Sequence, residues 1–145
     1  MRILFDTNVI LDVLLDREPF SSSAAALFSK VETGEISGYV CATTITKIFY
    51  LARKVIGAES AREEISKIMM LFEVAPVNRA VLDAAMSSEF EDFEDAVVNE
   101  SAIYREAQGI VTRDLHGFKK SKIAVYSPEE FLIMLDSKGA SQQLE

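Results

Sequence analysis

The 145-residue chain carries a formal net charge of −8 and contains 49% apolar and 26% charged residues. This composition fits one globular domain with its own core, excludes a disordered chain, and does not predict diffuse attraction to nucleic acid or to an anionic membrane. Cys41 is the one cysteine, which excludes an internal disulfide and indicates a reducing compartment.

The first predicted element is the strand "RILF" (2–5), which opens an apolar N-terminal run that Asp6 and Asn8 interrupt. Because of this interruption, and because no small-residue cleavage pattern follows, we do not interpret the run as a signal peptide. No apolar run in the sequence approaches the roughly 20 residues that span a bilayer. We therefore expect a cytoplasmic protein without a membrane segment.

Short apolar runs then alternate with helical patterns along the chain. In order they are helices 8–16 and 21–34, strand 37–42, helices 43–57 and 59–72, strand 72–77, helices 78–88 and 92–108, strands 109–112 and 123–127, and helix 127–136. The alternation predicts a three-layer α/β/α sandwich around a central, mainly parallel five-stranded sheet. We expect one domain over residues 1–136 and a disordered C-terminal tail over residues 137–145.

Two of the predicted strands end in carboxylates. Asp6 follows the first strand directly, and the strand "GIVT" runs through Thr112 into Asp114. Parallel strands deliver such residues to the carboxyl edge of a sheet, where ligands bind in α/β folds. Each aspartate has an alternative role as a helix cap. Asp114 is the poorer candidate for a cap because "LHGFKK" is not a convincing helix, so the two residues together favour a site.

The segment "EFEDFEDAVV" (89–98) supplies further carboxylates. Asp92 and Asp95 are three residues apart and lie on one side of a helix if both are helical. The structural alternative is that Asp92 caps this helix and that acids in its first turn complement the dipole. If the helix begins at the carboxyl edge of the sheet, Asp95 lies near Asp6 and Asp114. We expect the other acids to be mainly solvated, namely Glu89, Glu91 and Glu94.

Carboxylates that converge without a cation repel one another, and a hard divalent cation removes that cost. Ligands that are all oxygen favour Mg²⁺ or Mn²⁺. Zinc is disfavoured because one cysteine, Cys41, and one histidine, His116, do not make up a nitrogen and sulfur ligand set. A bound Mg²⁺ or Mn²⁺ ion can activate a water molecule and neutralise the charge of a phosphodiester.

The motifs, taken in order, resemble the PIN-domain family and, within it, the VapC-like toxin ribonucleases. "ILFDTNVILDVLL" is similar to the family's opening strand and turn, "FEDFEDAV" to its central acidic segment, and "GIVTRD" to its closing motif. With "VYSPEEFL" as the last strand and helix, the resemblance covers about residues 2–135. It implies the metal ligands Asp6, Asp95 and Asp114, the accessory acid Asp92, and the supporting polar residues Thr7, Asn8 and Thr112.

The resemblance also implies Mg²⁺- or Mn²⁺-dependent cleavage of RNA by a metal-activated water, an antitoxin as protein partner, and a homodimer. RNA binding requires cations in spite of the net charge, since phosphate contacts position a nucleic acid. The candidates are Lys47, Arg53, Arg113, Lys119 and Lys120. For any one of these residues, a solubilising surface role is the alternative.

Two positions depart from the family's pattern. Lys47 stands where the family usually has an acid, and Gly117 stands where relatives often carry one. The sequence therefore favours one ion over two, and it leaves open a catalytically weakened RNA-binding or regulatory module. Lys47 can equally point to solvent. An aspartate-based phosphotransfer domain is a further alternative, which Asn8 disfavours because haloacid-dehalogenase-like phosphatases have a second aspartate there.

Overall fold

Five strands form the centre of the molecule, and helices cover both faces of the sheet. The computed structural model describes the backbone of residues 1–144 and the side chains of residues 1–139. The strands are β1 (Arg2–Phe5), β2 (Ser37–Cys41), β3 (Glu73–Ala75), β4 (Gly109–Val111) and β5 (Ala124–Tyr126). The helices are α1 (Thr7–Leu14), α2 (Ser21–Glu32), α3 (Ala42–Ile56), α4 (Ala58–Leu71), α5 (Arg79–Met86), α6 (Phe93–Tyr104) and α7 (Pro128–Leu144).

The sheet has the strand order β3-β2-β1-β4-β5, and every pairing is parallel. This confirms the predicted sandwich, with a sheet that is entirely rather than mainly parallel over the described residues. The chain runs outward from β1 to β3 and then returns to β4 on the other side of β1. The strand order therefore reverses between β1 and β4, which pair with Phe5 opposite Val111.

Helices cover both faces because successive side chains of β1 point to opposite sides. Ile3 and Phe5 join a core cluster with residues of α1, α2, α3, α4 and α7. Leu4 joins a second cluster with residues of α5 and α6. Each of these three side chains is at most 1% exposed, and burying a side chain of this size stabilises the fold by about 1.5–3 kcal/mol.

The last helix extends beyond the predicted end of the domain. α7 continues through Leu144 in the described backbone, and the disordered tail over residues 137–145 stays a prediction. No proline interrupts this stretch, which lets the helical hydrogen bonds continue. Glu145 lies outside the described residues, and the domain boundary at residue 136 stays a prediction. No helix in the described part of the chain is long and apolar enough to cross a membrane.

Gly38 in β2 is packed too closely for a larger residue. A Cβ atom at this position would lie 2.6 Å from the Phe72 ring and 2.9 Å from a Val31 methyl. We expect Gly38→Ala to lower the free energy of unfolding by about 1–3 kcal/mol, because overpacking forces neighbouring side chains to shift. Urea denaturation followed by circular dichroism measures the change.

The matched control is Gly139→Ala in α7, where a Cβ would meet nothing within 4 Å. We expect this substitution to be neutral or slightly stabilising, because alanine favours a helix over glycine. Equal stability of wild type and Gly38→Ala would contradict the tight contact between β2 and Phe72.

Candidate active site

The site begins where β1 and β4 end side by side. Their pairing continues by one hydrogen bond, from the Asp6 amide to the Val111 carbonyl at 2.9 Å. Thr112 thereby comes next to Asp6, and its hydroxyl donates to Asp6 Oδ2 at 2.8 Å. Both residues are buried. The two strand ends are therefore joined through side chains as well as through backbone.

Hydrogen bonds of Thr112 and Asn8 fix the two turns that follow the strands. Thr112 Oγ1 accepts from the Asp114 amide at 3.0 Å and from Asn8 Nδ2 at 3.4 Å. Asn8 Oδ1 in turn accepts from the Arg113 amide at 3.2 Å. Thr112 and Asn8 together hold the turn after β1 against the turn after β4. Their role in supporting a metal site stays a prediction.

The first turn of α6 carries Asp95 to the same edge. Asp92 caps this helix by accepting from the Asp95 amide at 3.0 Å. The capping alternative considered for Asp92 is therefore correct. Asp6 is likewise the N-cap residue of α1, with Oδ1 accepting from the Thr7 amide at 2.8 Å.

Asp114 binds the backbone of the turn that follows β4, although Leu115, without a side-chain hydrogen bond, is the N-cap residue there. Asp114 Oδ1 accepts from the Gly117 amide at 3.0 Å and closes the turn into a short 3-10 helix at His116–Phe118. A single turn of this kind has no apolar periodicity for a sequence pattern to reveal. The hydrogen bond from Gly117 uses Oδ1 of Asp114 and leaves Oδ2 free.

The carboxylates of Asp95 and Asp114 converge on Gly117. A Cβ atom at Gly117 would lie 2.5 Å from Asp114 Oδ2 and 2.9 Å from Asp95 Oδ2. Two oxygens from separate elements thus approach one small volume, which any side chain at position 117 would fill. Glycine at this departure from the family's pattern keeps the volume open.

Burial and like charges raise the pKa values of two of these carboxyls. Burial raises the pKa of Asp95 to about 6, and the charges of Asp92, Asp6 and Asp114 add to the rise while Lys47 opposes it. Burial also raises the pKa of Asp6, against the hydrogen bonds from Thr112 and Thr7. The site therefore carries more negative charge than its own cations compensate.

A cavity of about 660 Å³ opens over these groups. Its walls include many of the residues that the sequence singled out: Asp6, Thr7, Asn8, Lys47, Asp95, Arg113 and Asp114. The other residues that the sequence singled out do not line it: Asp92, Thr112, Arg53, Lys119 and Lys120. Thr112 lies behind the wall, and the Arg53 guanidinium lies over the Tyr50 ring, 5.3 Å from its centroid.

The carboxylates are not arranged as a finished metal cage. Within the described residues, no group of three or more His, Cys, Asp or Glu side chains could hold a metal ion. Mg²⁺, however, is usually bound by one or two carboxylates together with several water molecules. The pair of oxygens at Gly117 meets that smaller requirement.

Lys47 lies at the cavity wall and is paired rather than free. Its Nζ donates to Glu94 Oε2 at 2.8 Å, and this hydrogen bond raises the pKa of Lys47. Half of the Lys47 side chain stays exposed, so the expectation of a solvent-directed lysine holds only in part. Glu94 was expected to be mainly solvated; its side chain is 73% exposed but bound to Lys47.

Sequence reasoning missed several residues around the cavity. Thr44 contacts Thr7, with the two hydroxyl oxygens 3.1 Å apart. Asp12 is fully buried and pairs with Arg17 and Arg113. A signal for Asp12 was present, because it is a charge within the apolar run "VILDVLL".

Comparison with known proteins identifies the family. The PIN-domain profile matches residues 2–116. The chain belongs to the PIN-domain family, which confirms the resemblance read from the motifs. No curated protein matches the chain.

Solved structures with this fold include FitAcB from Neisseria gonorrhoeae, with 21% identity, a TM-score of 0.66, and coverage of 87% of this chain and 97% of that chain. A toxin–antitoxin complex from Klebsiella pneumoniae has 19% identity, a TM-score of 0.67 and the same two coverages. VapC20 from Mycobacterium tuberculosis, described as a sarcin–ricin loop cleaving toxin, has 12% identity, a TM-score of 0.60, and coverage of 74% and 86%. At these identities the likeness establishes a shared fold.

The raised pKa of Asp95 makes stability depend on pH. The folded protein binds this proton more tightly than the unfolded chain, so ionisation of Asp95 destabilises the fold as pH rises from the ordinary value of 3.8 to about 6. We expect Asp95→Asn to stabilise the metal-free protein by about 1 kcal/mol at about pH 8, after allowance for solvent screening, and to have little effect at about pH 4.

Urea denaturation at the two pH values, with chelator present, measures this difference. The control is Asp136→Asn on α7, where the residue is exposed and lies outside the cavity, and we expect no such pH dependence. A lower free energy of unfolding for Asp95→Asn than for wild type at the higher pH would contradict the view that the Asp95 charge is uncompensated in the folded protein.

Proposed function

We propose that this protein is a Mg²⁺- or Mn²⁺-dependent endoribonuclease in which a metal-activated water hydrolyses an RNA phosphodiester. Asp6, Asp95 and Asp114 would hold one ion, with Asp95 and Asp114 as direct ligands and Asp6 bound through water molecules, since no three acidic side chains of the described residues are arranged to bind a metal directly. The observation that carries the proposal is the approach of Asp95 Oδ2 and Asp114 Oδ2 to one open volume at Gly117, beside the buried Asp6 carboxylate.

The donor set fits such an ion. Among the described residues, Asp114 Oδ2 and the side chain of Asp95 accept no protein hydrogen bond, so their lone pairs are available. A divalent cation bound there supplies an activated water and neutralises the charge that develops on a phosphodiester. Asp92 would assist through its second oxygen, since Oδ1 caps α6.

The remaining groups of the site orient these ligands. Thr7 and Thr112 each donate to one oxygen of Asp6, which restricts the carboxylate to one rotamer. The same contacts disfavour a phosphotransfer role, because an Asp6 nucleophile would have to attack from a buried, doubly hydrogen-bonded carboxylate. Lys47, which replaces an acid of the family's pattern, would add fixed positive charge near Asp6.

The partners follow from the relatives with this fold. The similar protein from Klebsiella pneumoniae was solved as a toxin–antitoxin complex, and VapC20 is described as cleaving the sarcin–ricin loop. By analogy we propose that the chain is the toxin of such a pair, with an antitoxin protein as partner and RNA as substrate. A cytoplasmic location and a homodimer belong to the same proposal.

A catalytically weakened RNA-binding or regulatory module is the second candidate. The ion pair between Lys47 and Glu94 at the cavity wall favours it, because an ammonium in place of an acid removes one ligand. The two candidates differ in whether RNA is cut.

The assay uses purified protein and a panel of single-stranded RNAs with Mg²⁺ or Mn²⁺. We expect cleavage that stops on addition of chelator, and we expect Asp6→Asn to lower the rate by about 100-fold or more, since a metal ligand contributes several kcal/mol to the barrier. Asp136→Asn, on the exposed side of α7, is expected to cut like wild type. Equal inertness of wild type and Asp6→Asn would refute the nuclease and favour the binding module.

A further inference from the structure

Asp12 is a buried charge with an unusual number of cations around it. Its side chain is 0% exposed, and its Oδ1 accepts from Arg17 Nε at 2.9 Å. Arg113 donates to both oxygens, from Nε to Oδ2 at 2.7 Å and from Nη2 to Oδ1 at 3.2 Å. One guanidinium would compensate one carboxylate, so the second arginine is surplus to the charge balance of the core.

Both guanidiniums are held by a second contact. Arg17 Nη2 donates to the Asn8 carbonyl at 3.0 Å. The Arg113 guanidinium carbon lies 3.8 Å from the centroid of the Phe20 ring, which is a close cation–π contact. The two side chains are therefore fixed before any ligand arrives, which reduces the entropy lost on binding.

The same two arginines line the cavity that holds the carboxylates. Their side chains are 37% and 29% exposed. In the part of the chain with described side chains, Nη1 of each arginine donates to no carboxylate or carbonyl oxygen, so its N–H groups are free to bind a ligand. Planar, fixed donors with a net positive charge match the oxygens of a phosphate group.

We propose that Arg17 and Arg113 form a phosphate subsite that binds a backbone phosphodiester of single-stranded RNA next to the one that is cleaved. Asp12 is the positioning residue of this subsite, because it aims both guanidiniums without touching the ligand. The choice of RNA as ligand rests on the proposed function. Arg113 directly precedes Asp114 in the chain, and both residues line the cavity. The positive charge of the subsite therefore lies beside the Asp114 carboxylate.

Asn8 couples this subsite to the carboxylates. Its carbonyl holds Arg17, its Oδ1 holds the Arg113 amide, and its Nδ2 contacts Thr112, which in turn donates to Asp6. A phosphate bound by the arginines therefore lies at a fixed offset from Asp6. Such an offset would align the neighbouring phosphodiester with the carboxylates.

Binding without cleavage tests the subsite. The affinity of metal-free protein for a fluorescein-labelled single-stranded RNA is measured in chelator over a range of KCl concentrations. We expect Arg17→Gln to weaken binding about tenfold and to reduce the slope of log K against log salt by about 0.7, the value for one phosphate contact on a single strand. Arg17→Lys is expected to recover only part of the affinity, because lysine lacks the planar fork.

Arg105→Gln is the matched control. Arg105 also pairs with an acid, Glu73, at 2.8 Å, also lies over an aromatic ring, that of Tyr39, and has a side chain that is likewise 37% exposed. It lies outside the cavity, near the start of β3. We expect the Arg105→Gln variant to bind the RNA with the affinity of wild type and with the same slope of log K against log salt.

A measurement on the wild type avoids any loss of folding in the variants. In ¹⁵N-labelled protein, the Nε–H resonances of Arg17 and Arg113 are expected to shift on addition of the RNA, while that of Arg105 stays in place. Shifts confined to other arginines, an unchanged salt slope in Arg17→Gln, or no RNA binding by wild type would each overturn the subsite. Metal-dependent cleavage seen alongside any of these results would leave the nuclease proposal standing.

Discussion

The hydrogen bond from Thr112 to Asp6 is the contact on which the rest of the site depends. It joins the ends of β1 and β4 at the point where the strand order reverses, and it satisfies a buried carboxylate oxygen. Without this donor, a buried oxygen of Asp6 would be left without a hydrogen bond, which would lower the free energy of unfolding by about 1–3 kcal/mol. Asn8 and Asp114 also bind the Thr112 hydroxyl, so its loss would loosen both turns together. The placement of Asp6 and Asp114 thus follows from one parallel strand pairing, and α6 adds Asp95.

The cavity has an excess of negative charge on one side, among the carboxylates, and an excess of positive charge on another, around Asp12. Burial, together with the charges of Asp92, Asp6 and Asp114, raises the pKa of Asp95 to about 6. On the other side of the balance, two arginines share the one buried carboxylate of Asp12. A fold selected for stability alone has no reason to keep either imbalance. A divalent cation would compensate the first and a phosphate the second. Under the proposed function, a phosphodiester bound with its metal ion would compensate both imbalances.

Much of the fold and part of the site could be predicted from the sequence because they depend on local patterns. Uninterrupted apolar runs located the strands, and parallel pairing then brought Asp6 and Asp114 to one edge. The bonds from Asp12 to Arg113 and from Lys47 to Glu94 join residues 101 and 47 positions apart, and no periodicity records such pairs. The hydrogen bond from the Gly117 amide to Asp114 was not predicted because a single 3-10 turn leaves no pattern in the sequence.

The central claim is that the carboxylates at the ends of β1 and β4, with Asp95 of α6, hold one divalent cation. A crystal soaked in Mn²⁺ and measured at the manganese absorption edge tests it most directly. The claim predicts one anomalous peak between the carboxylates of Asp95 and Asp114, close to Asp6, and no peak there in a crystal of Asp6→Asn. A peak elsewhere on the molecule, or none beside these three carboxylates, would contradict the claim even if RNA binding persisted.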